Sequence, residues 1–245
     1  MGMSSVVRVG AVGDLHYRRM SQGELLAILG QVARNCDVLL LAGDLTDGGV
    51  AEEAQLLARD LAAAVKIPVL AVLGNHDFEN EAAGEVARIL TDAGVVVLDG
   101  DAHEIQGIGF AGVKGFAGGF GKHALGSWGE PVVKHFVKEA LDEALKLEKA
   151  LARLRTRQRI ALLHYAPIQG TVEGEPREIY PYLGSSRLEE PLSRYPVTAV
   201  FHGHAHRGVA EATTASGVPV YNVSLPLLRR LFPERPPFRV LEVAV

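Results

Sequence analysis

The chain has 245 residues, 48% of them hydrophobic, and a formal net charge of −4. That is enough apolar content for a full core, and it excludes a global basic footprint for nucleic acid while leaving a local patch open. A single cysteine, Cys36, excludes an internal disulfide, no stretch approaches membrane-spanning length, and Met1 to Gly13 holds no long apolar signal-peptide core; a soluble cytoplasmic protein with no membrane partner is expected.

Val6 to Val12 reads as a first strand running into Asp14-Leu15-His16. Ser21 and Glu24 have capping-box spacing, and Leu25, Ile28, Leu29 and Val32 supply the helical stripe that follows. Asp37 to Ala42 is a short apolar run that reads as a buried parallel strand, delivering Gly43-Asp44-Leu45-Thr46-Asp47 at its C-terminal end. A helix is expected from Ala51 to Val65 and a strand from Pro68 to Leu73, ending in Gly74-Asn75-His76-Asp77. A helix from Glu79 to Thr91 and a strand from Val95 to Leu98 complete the series. Such βαβα alternation predicts an α/β protein with a parallel sheet covered by helices.

His103 to Val113 reads as one strand, followed by the glycine-rich stretch Gly115 to Gly121, which runs on to Trp128. Without a Gly-Lys-Ser/Thr ending this is no phosphate-cradling loop. It is either a flexible excursion or a mobile flap offering Phe116, His123 or Trp128 to a substrate. Pro131 to about Arg157 carries the longest helical stripe, through Val133, Val137, Ala140, Ala144, Leu147, Leu151 and Leu154. That stripe suits packing and only weakly suggests a coiled-coil seam, so the oligomeric state stays open. Arg153, Arg155, Arg157 and Arg159 complement the helix dipole on a solvated face, or else form a small nucleic-acid contact.

The last third returns to strands at Arg159 to Leu163, Val197 to Phe201, Val218 to Val223 and Phe238 to Val245. Between the first two lies a long segment, Tyr165 to Pro196, of the kind that is functional or disordered. Leu225 to Pro237 carries four prolines and three arginines and is expected to be irregular. With no repeat, low-complexity tract or clean linker, residues 1–245 are expected to form one domain.

Five predicted strands end in Asp, Asn or His: Asp14-x-His16, Gly43-Asp44, Gly74-Asn75-His76-Asp77, His164 and Gly203-His204-Ala205-His206. Each fragment alone has a bland reading, as a turn, an Asx cap or a satisfied histidine. Together, in order and each at a strand end, they point to one site. Residues two apart in extended chain share a face, which holds for Asp14 with His16 and for His204 with His206. Carboxylate, imidazole and amide ligands without thiolate suit manganese, iron or zinc in a reactive site better than a structural zinc–cysteine site. Seven such side chains are too many for one tetrahedral ion and fit two ions sharing a carboxylate bridge.

These motifs, from Asp14 to His206, resemble the complete signature of the calcineurin-like metallophosphoesterases. The resemblance implies a four-layer α/β/β/α sandwich with a dinuclear site of divalent or trivalent metal ions at the strand ends. It implies that Asp14, His16 and His206 hold one metal, that Asn75, His164 and His204 hold the other, and that Asp44 bridges them. His76 would be no ligand but would sit over the phosphate, stabilising it or protonating the leaving oxygen, with Asp47 orienting it. Two dications against two carboxylates and a bridging hydroxide leave roughly one net positive charge, which draws in phosphate, and the hydroxide would attack phosphorus in line.

The substrate expected from these residues is a small phosphoester, with nucleotides among the candidates. Gly48 stands where protein phosphatases carry a phosphate-clamping arginine, and Asn-His-Asp replaces their usual Asn-His-Glu. The pattern is closer to the small bacterial phosphodiesterase branch. A phosphomonoesterase, a nuclease and a non-catalytic scaffold are the alternatives, the last disfavoured because His76 and every ligand position are present. Arg18 and Arg19 are read as surface charges or as phosphate contacts, and His202 as a structural residue turned away from the metals.

Overall fold

The computed structural model describes residues 5–245, with the side chains of Gln22 and Glu24 outside the described set. Of the expected capping box, Ser21 makes no side-chain capping hydrogen bond at the start of the helix Gln22–Asn35, and the Glu24 side chain lies outside the described residues. The chain begins β1 (Val6–Val12), α1 (Gln22–Asn35), β2 (Val38–Ala42), α2 (Ala51–Ala64), β3 (Val69–Val72), α3 (Ala83–Asp92), β4 (Val96–Val97). It continues β5 (Asp101–Ile105), β6 (Ile108–Gly112), α4 (Pro131–Arg153), β7 (Gln158–Leu162), α5 (Tyr180–Leu183), α6 (Glu189–Arg194). The last elements are β8 (Ala199–His202), β9 (Glu211–Thr213), β10 (Pro219–Asn222), α7 (Leu225–Leu231) and β11 (Arg239–Ala244).

Two sheets result, in the orders β11-β1-β2-β3-β4 and β5-β6-β7-β8-β10-β9. Strands β1 to β4 run parallel, as do β6, β7, β8 and β10 in spatial succession. Antiparallel β11, β5 and β9 close the edges. The apolar run in β2 shows why the sheets must be covered on both faces. Its Val38, Leu40 and Ala42 pack with Phe110, Ile160, Leu162 and Phe201 of the other sheet. The alternate Leu39 and Leu41 pack instead with Leu25, Leu29, Leu57 and Val86 of α1, α2 and α3. On the far side, Ala111, Ala161 and Val200 meet Leu147, Leu151 and Leu192 of α4 and α6. This is the expected four-layer α/β/β/α sandwich, and it brings the C-terminal ends of strands from both sheets to one place.

Three expectations need correcting. The stretch read as one strand from His103 to Val113 is the hairpin β5–β6. Gln106 and Gly107 take positive φ values of 51° and 82°, as a two-residue hairpin turn requires. The segment read as irregular, Leu225 to Pro237, opens with α7, because Pro226 in the first turn forfeits no hydrogen bond and Leu225, Leu227 and Leu228 are buried. A short edge strand, Glu211–Thr213, was not foreseen; its polar residues carry no apolar period. Element ends also shift: the long helix stops at Arg153 rather than Arg157, and Tyr165 to Pro196 is ordered as turns and the short helices α5 and α6.

Candidate metal centre

Asp14 and His16 follow β1, Asp44 follows β2, and Asn75 and His76 follow β3. His164 follows β7, and His204 and His206 follow β8. Ligand atoms of Asp14, His16 and His206 lie within 4.8 Å of one another, and so do those of Asp44, His164 and His204. Asp44 stands between the groups: its Oδ2 is 3.8 Å from His16 Nε2, and its Oδ1 is 3.3 Å from His164 Nε2. Asn75 Oδ1 is 2.9 Å from His164 Nε2, and Asp14 Oδ1 is 2.9 Å from His206 Nε2.

Backbone geometry makes this convergence. Asp14, His16, Asp44 and His204 all adopt left-handed φ, at 56°, 44°, 46° and 70°, a conformation costing about 1–2 kcal/mol each for residues with a Cβ. The chain turns sharply at the end of each strand, so the side chains point across the gap between the sheets. The turns also pack tightly. A Cβ on Gly74 would sit 2.2 Å from Asp44 Oδ1, and one on Gly203 would sit 2.2 Å from Asp14 Oδ2.

Hydrogen bonds to main-chain carbonyls fix the tautomers. A carbonyl only accepts, so His164 Nδ1–H donates to Ala42 O at 3.0 Å and leaves the Nε2 lone pair facing Asp44. His204 donates through Nε2 to Tyr182 O at 3.1 Å and keeps Nδ1 for the site. Burial is the main influence on His204, and it brings the ring's pKa down to about 3. For Asp14, burial acts to raise the pKa, but the His206 hydrogen bond and the nearby imidazoles outweigh it and bring it to about 2. The pair thus offers a neutral imidazole and an ionised carboxylate at neutral pH.

Three observations show that cations fit here. Asp14 and Asp44 are almost fully buried, yet among the described residues no Lys or Arg pairs with either. Buried carboxylates without a compensating charge cost several kcal/mol each. His16 Nε2 is buried with no hydrogen-bond partner. The donor set is oxygen and imidazole nitrogen, which suits divalent transition metals.

His76 stands at the edge of this cluster, its ring 4.4 Å from that of His16 in an edge-on arrangement. Its Nδ1 donates to the main-chain carbonyl of Asp47 at 2.6 Å. The Asp47 carboxylate lies 3.3 Å from His16 Nδ1 and 3.6 Å from Arg18 Nη1, and ligand atoms of His16, Asp47 and His76 fall within 4.8 Å of one another. Asp47 therefore hydrogen-bonds His76 through its backbone, while its carboxylate stands nearby. Burial alone would lower the His76 pKa, but the Asp47 carbonyl and the charges of Asp44 and Asp47 raise it.

Asp77, which sequence reasoning left without a role, ties two ligand loops together. It is buried and accepts from Leu45 N, Thr46 N, Thr46 Oγ1 and Gly74 N at 2.6–3.1 Å. The signal was an acid placed inside a motif that follows a fully buried strand, where loop N–H groups and a threonine hydroxyl are at hand to satisfy it. His202 is buried, donating to Gly203 O at 2.7 Å and accepting from Thr171 Oγ1 at 2.8 Å, away from the ligand cluster. Arg19 pairs with Glu52 on the surface, whereas Arg18 reaches the site's edge at Asp47. In the arginine run, Arg155 bonds Ala152 O, Arg159 bonds Thr156 O and Arg153 faces Asp101. Of the residues offered by the glycine-rich stretch, Phe116 packs on Phe136 and Tyr165, while Trp128 is 65% exposed.

Two clefts lie near the cluster, and only the first is lined by one of its residues. One, of about 420 Å³, includes Asn75 itself with Phe78, Lys114 and Tyr165 in its walls. The other, of about 750 Å³, is walled by His123, Glu175, Arg177 and Tyr180; its Glu175 accepts from Arg207 N, next to His206.

A two-sheet sandwich that gathers imidazoles and carboxylates at its strand ends defines a metal-binding α/β/β/α protein. The chain belongs to the calcineurin-like phosphoesterase family, whose profile matches residues 7–208, and this family implies metal-dependent hydrolase activity in general. No curated protein sequence gives a significant match. Among solved structures, the fold is similar to a phosphopantetheinyl hydrolase from Mycobacterium tuberculosis, with TM-score 0.69, 14% identity and 95% of each chain covered. It is also similar to a putative 5'-nucleotidase from Staphylococcus aureus, with TM-score 0.55, 17% identity, and coverage of 89% of this chain and 48% of that one. A third is GAP50, described as the anchor in the inner membrane complex of Plasmodium, with TM-score 0.53, 12% identity, and coverage of 90% and 72%. Among the described residues, no helix is long and apolar enough to cross a membrane.

Proposed function

We propose that this chain is a dinuclear-metal phosphodiesterase. Asp14, His16 and His206 would hold one ion and Asn75, His164 and His204 the other, with one oxygen of Asp44 directed to each. Because the ligands come from both sheets, we read residues 1–245 as one domain. The bound ions supply the positive charge that draws in phosphate and lower the pKa of water toward neutrality for attack on phosphorus.

The rest of the work falls to side chains of this chain. With Nδ1–H committed to the Asp47 carbonyl, His76 keeps Nε2 free toward the site, and the raised pKa favours the doubly protonated ring that could give a proton to the departing oxygen. General-acid assistance of this kind contributes roughly 10²–10⁴-fold. Asp77 holds the Asp44 and Asn75 loops in mutual register.

The observation that supports a diester is the pair of separate clefts beside one ligand cluster, which gives each of two ester arms a place. Gly48, in place of a phosphate-clamping arginine, is in keeping with it. The test is hydrolysis of bis-p-nitrophenyl phosphate beside p-nitrophenyl phosphate by Mn²⁺-loaded protein. Faster turnover of the diester is expected, and a clear monoester preference would favour a phosphomonoesterase. That second reading draws on the putative 5'-nucleotidase among the structural neighbours. A nuclease draws no such support, since Arg153, Arg155 and Arg159 are engaged with neighbouring groups of their own chain.

A further inference from the structure

The cleft that includes Asn75 is walled on one side by the start of α4. Val132, His135, Phe136 and Glu139 stand at spacings of three and four, which places them on one helical face, and all four line the cleft. The same helix buries Val137, Ala140 and Leu147, so its start presents one face to the cleft and another to the core.

Lys114 projects into this cleft. Its Nζ lies 4.8 Å from the ring centroid of Phe116, 5.4 Å from that of Tyr165 and 5.6 Å from that of Phe78. It donates to Gly115 O at 2.7 Å. Tyr165 is the wall shared with the ligand cluster: its ring is 4.5 Å from that of His204 and 5.4 Å from that of His164. A group bound here would thus be joined directly to a phosphate at the ligands.

We propose that this cleft seats a planar heteroaromatic arm of the phosphoester, of the nucleobase class. The proposal rests on the phosphoester reading above. Four aromatic side chains, Phe78, Phe116, Phe136 and Tyr165, line the cleft and give surface for stacking, and about 420 Å³ lies within the range of small-ligand sites. An aliphatic arm would cover the Lys114 ammonium while offering no acceptor to the N–H groups that Gly115 O does not take, which is costly. A second anionic group would meet Glu139 in the cleft wall, with Glu143 acting on the same ammonium. A nucleobase avoids both penalties, stacking through its face and accepting from Lys114 at a ring nitrogen or carbonyl edge.

The test is calorimetric binding of AMP and of ribose 5-phosphate to Mn²⁺-loaded protein, since the two share a phosphate and differ in the base. Stacking on aromatic side chains predicts that AMP binds roughly tenfold or more tightly than ribose 5-phosphate. In Lys114→Met, and in Phe78→Ala, whose ring is 45% exposed and so is not needed for the core, that ratio should fall toward one. Ribose 5-phosphate itself should keep its affinity in both variants. Equal affinities in the wild type, or a ratio preserved in both variants, would overturn the aromatic subsite while leaving the phosphate site standing. A parallel loss of both ligands in both variants would overturn it too, by moving these residues to the phosphate. Failure of either ligand to bind the wild type would instead overturn the phosphoester reading beneath it.

Discussion

The strand ends and the rim of the clefts solve the same geometric problem differently. Both need left-handed backbone to turn sharply. In the rim, the positions with positive φ between residues 115 and 121 are all glycines, Gly115, Gly118, Gly119 and Gly121, which bear the conformation without strain. At the strand ends, the same conformation falls on Asp14, His16, Asp44 and His204. Under the proposed metal centre glycine cannot serve there, because each position would also supply a ligand atom. Strain is therefore concentrated where the chemistry is, and the buried sheets on either side hold it in place. The rim carries no such strain, and it is where a substrate's identity would be read.

The sharpest way to break this division is at His76, which sits between the two regions. His76→Ala should leave metal content unchanged and lower diester turnover by roughly 10²–10⁴-fold. Measured with metal analysis alongside kinetics, a variant that keeps full rate would remove His76 from the mechanism.

A second prediction concerns the scaffold under the strand ends. Burial foremost brings the His202 pKa from its ordinary 6.5 to about 4. Above pH 6.5 neither folded nor unfolded chain is protonated there, and stability is intact. As pH falls from 6.5 to 4, the unfolded chain takes up a proton that the folded chain refuses, so stability is lost across that window, by on the order of 3 kcal/mol. Denaturant unfolding at pH 7 and pH 4.5 should show a smaller acid loss in His202→Gln than in wild type. Equal losses would mean that His202 does not set the acid limit.

The strained turns give a third. Gly74→Ala introduces a Cβ at 2.2 Å from Asp44 Oδ1, so the loop must shift, and metal affinity should fall roughly 10–100-fold by analogy with other supporting contacts around metal ligands. Titration with Mn²⁺ would measure it. The smallest effect is expected at Trp128, exposed on the rim: Trp128→Ala should change turnover by no more than about twofold, as surface substitutions away from special features do.

The same contrast explains what could be read from sequence. A buried parallel strand announces itself as an apolar run, and ligand sites of α/β sheets lie beyond the C-terminal ends of such strands, so Asp44 after Leu39-Leu40-Leu41 and His164 after Leu162-Leu163 were legible together as candidates. The sandwich followed from the alternation of such strands with helices. The β5–β6 turn was missed because Gly107 and Gly109 interrupt an otherwise even pattern, and the turn shows in the positive φ of Gln106 and Gly107. Helix α7 was hidden by prolines that a first turn tolerates, and β9 is an edge strand held by pairing with β10 rather than by its own residues. In the site, the sequence placed Asp47 beside His76 but could not tell carboxylate from carbonyl, since both belong to one residue. Asp77 went unassigned because its partners, Leu45 and Thr46, lie about thirty residues away.

The central claim is that Asp44, with one oxygen toward His16 and the other toward His164, couples two ion sites into one centre. Its most direct test is the metal content of Mn²⁺-reconstituted, dialysed protein beside Asp44→Asn. The account predicts about two ions per wild-type chain, as a bridged dinuclear centre requires, and at most one in the variant. A single ion in the wild type, or an unchanged pair in Asp44→Asn, would contradict it.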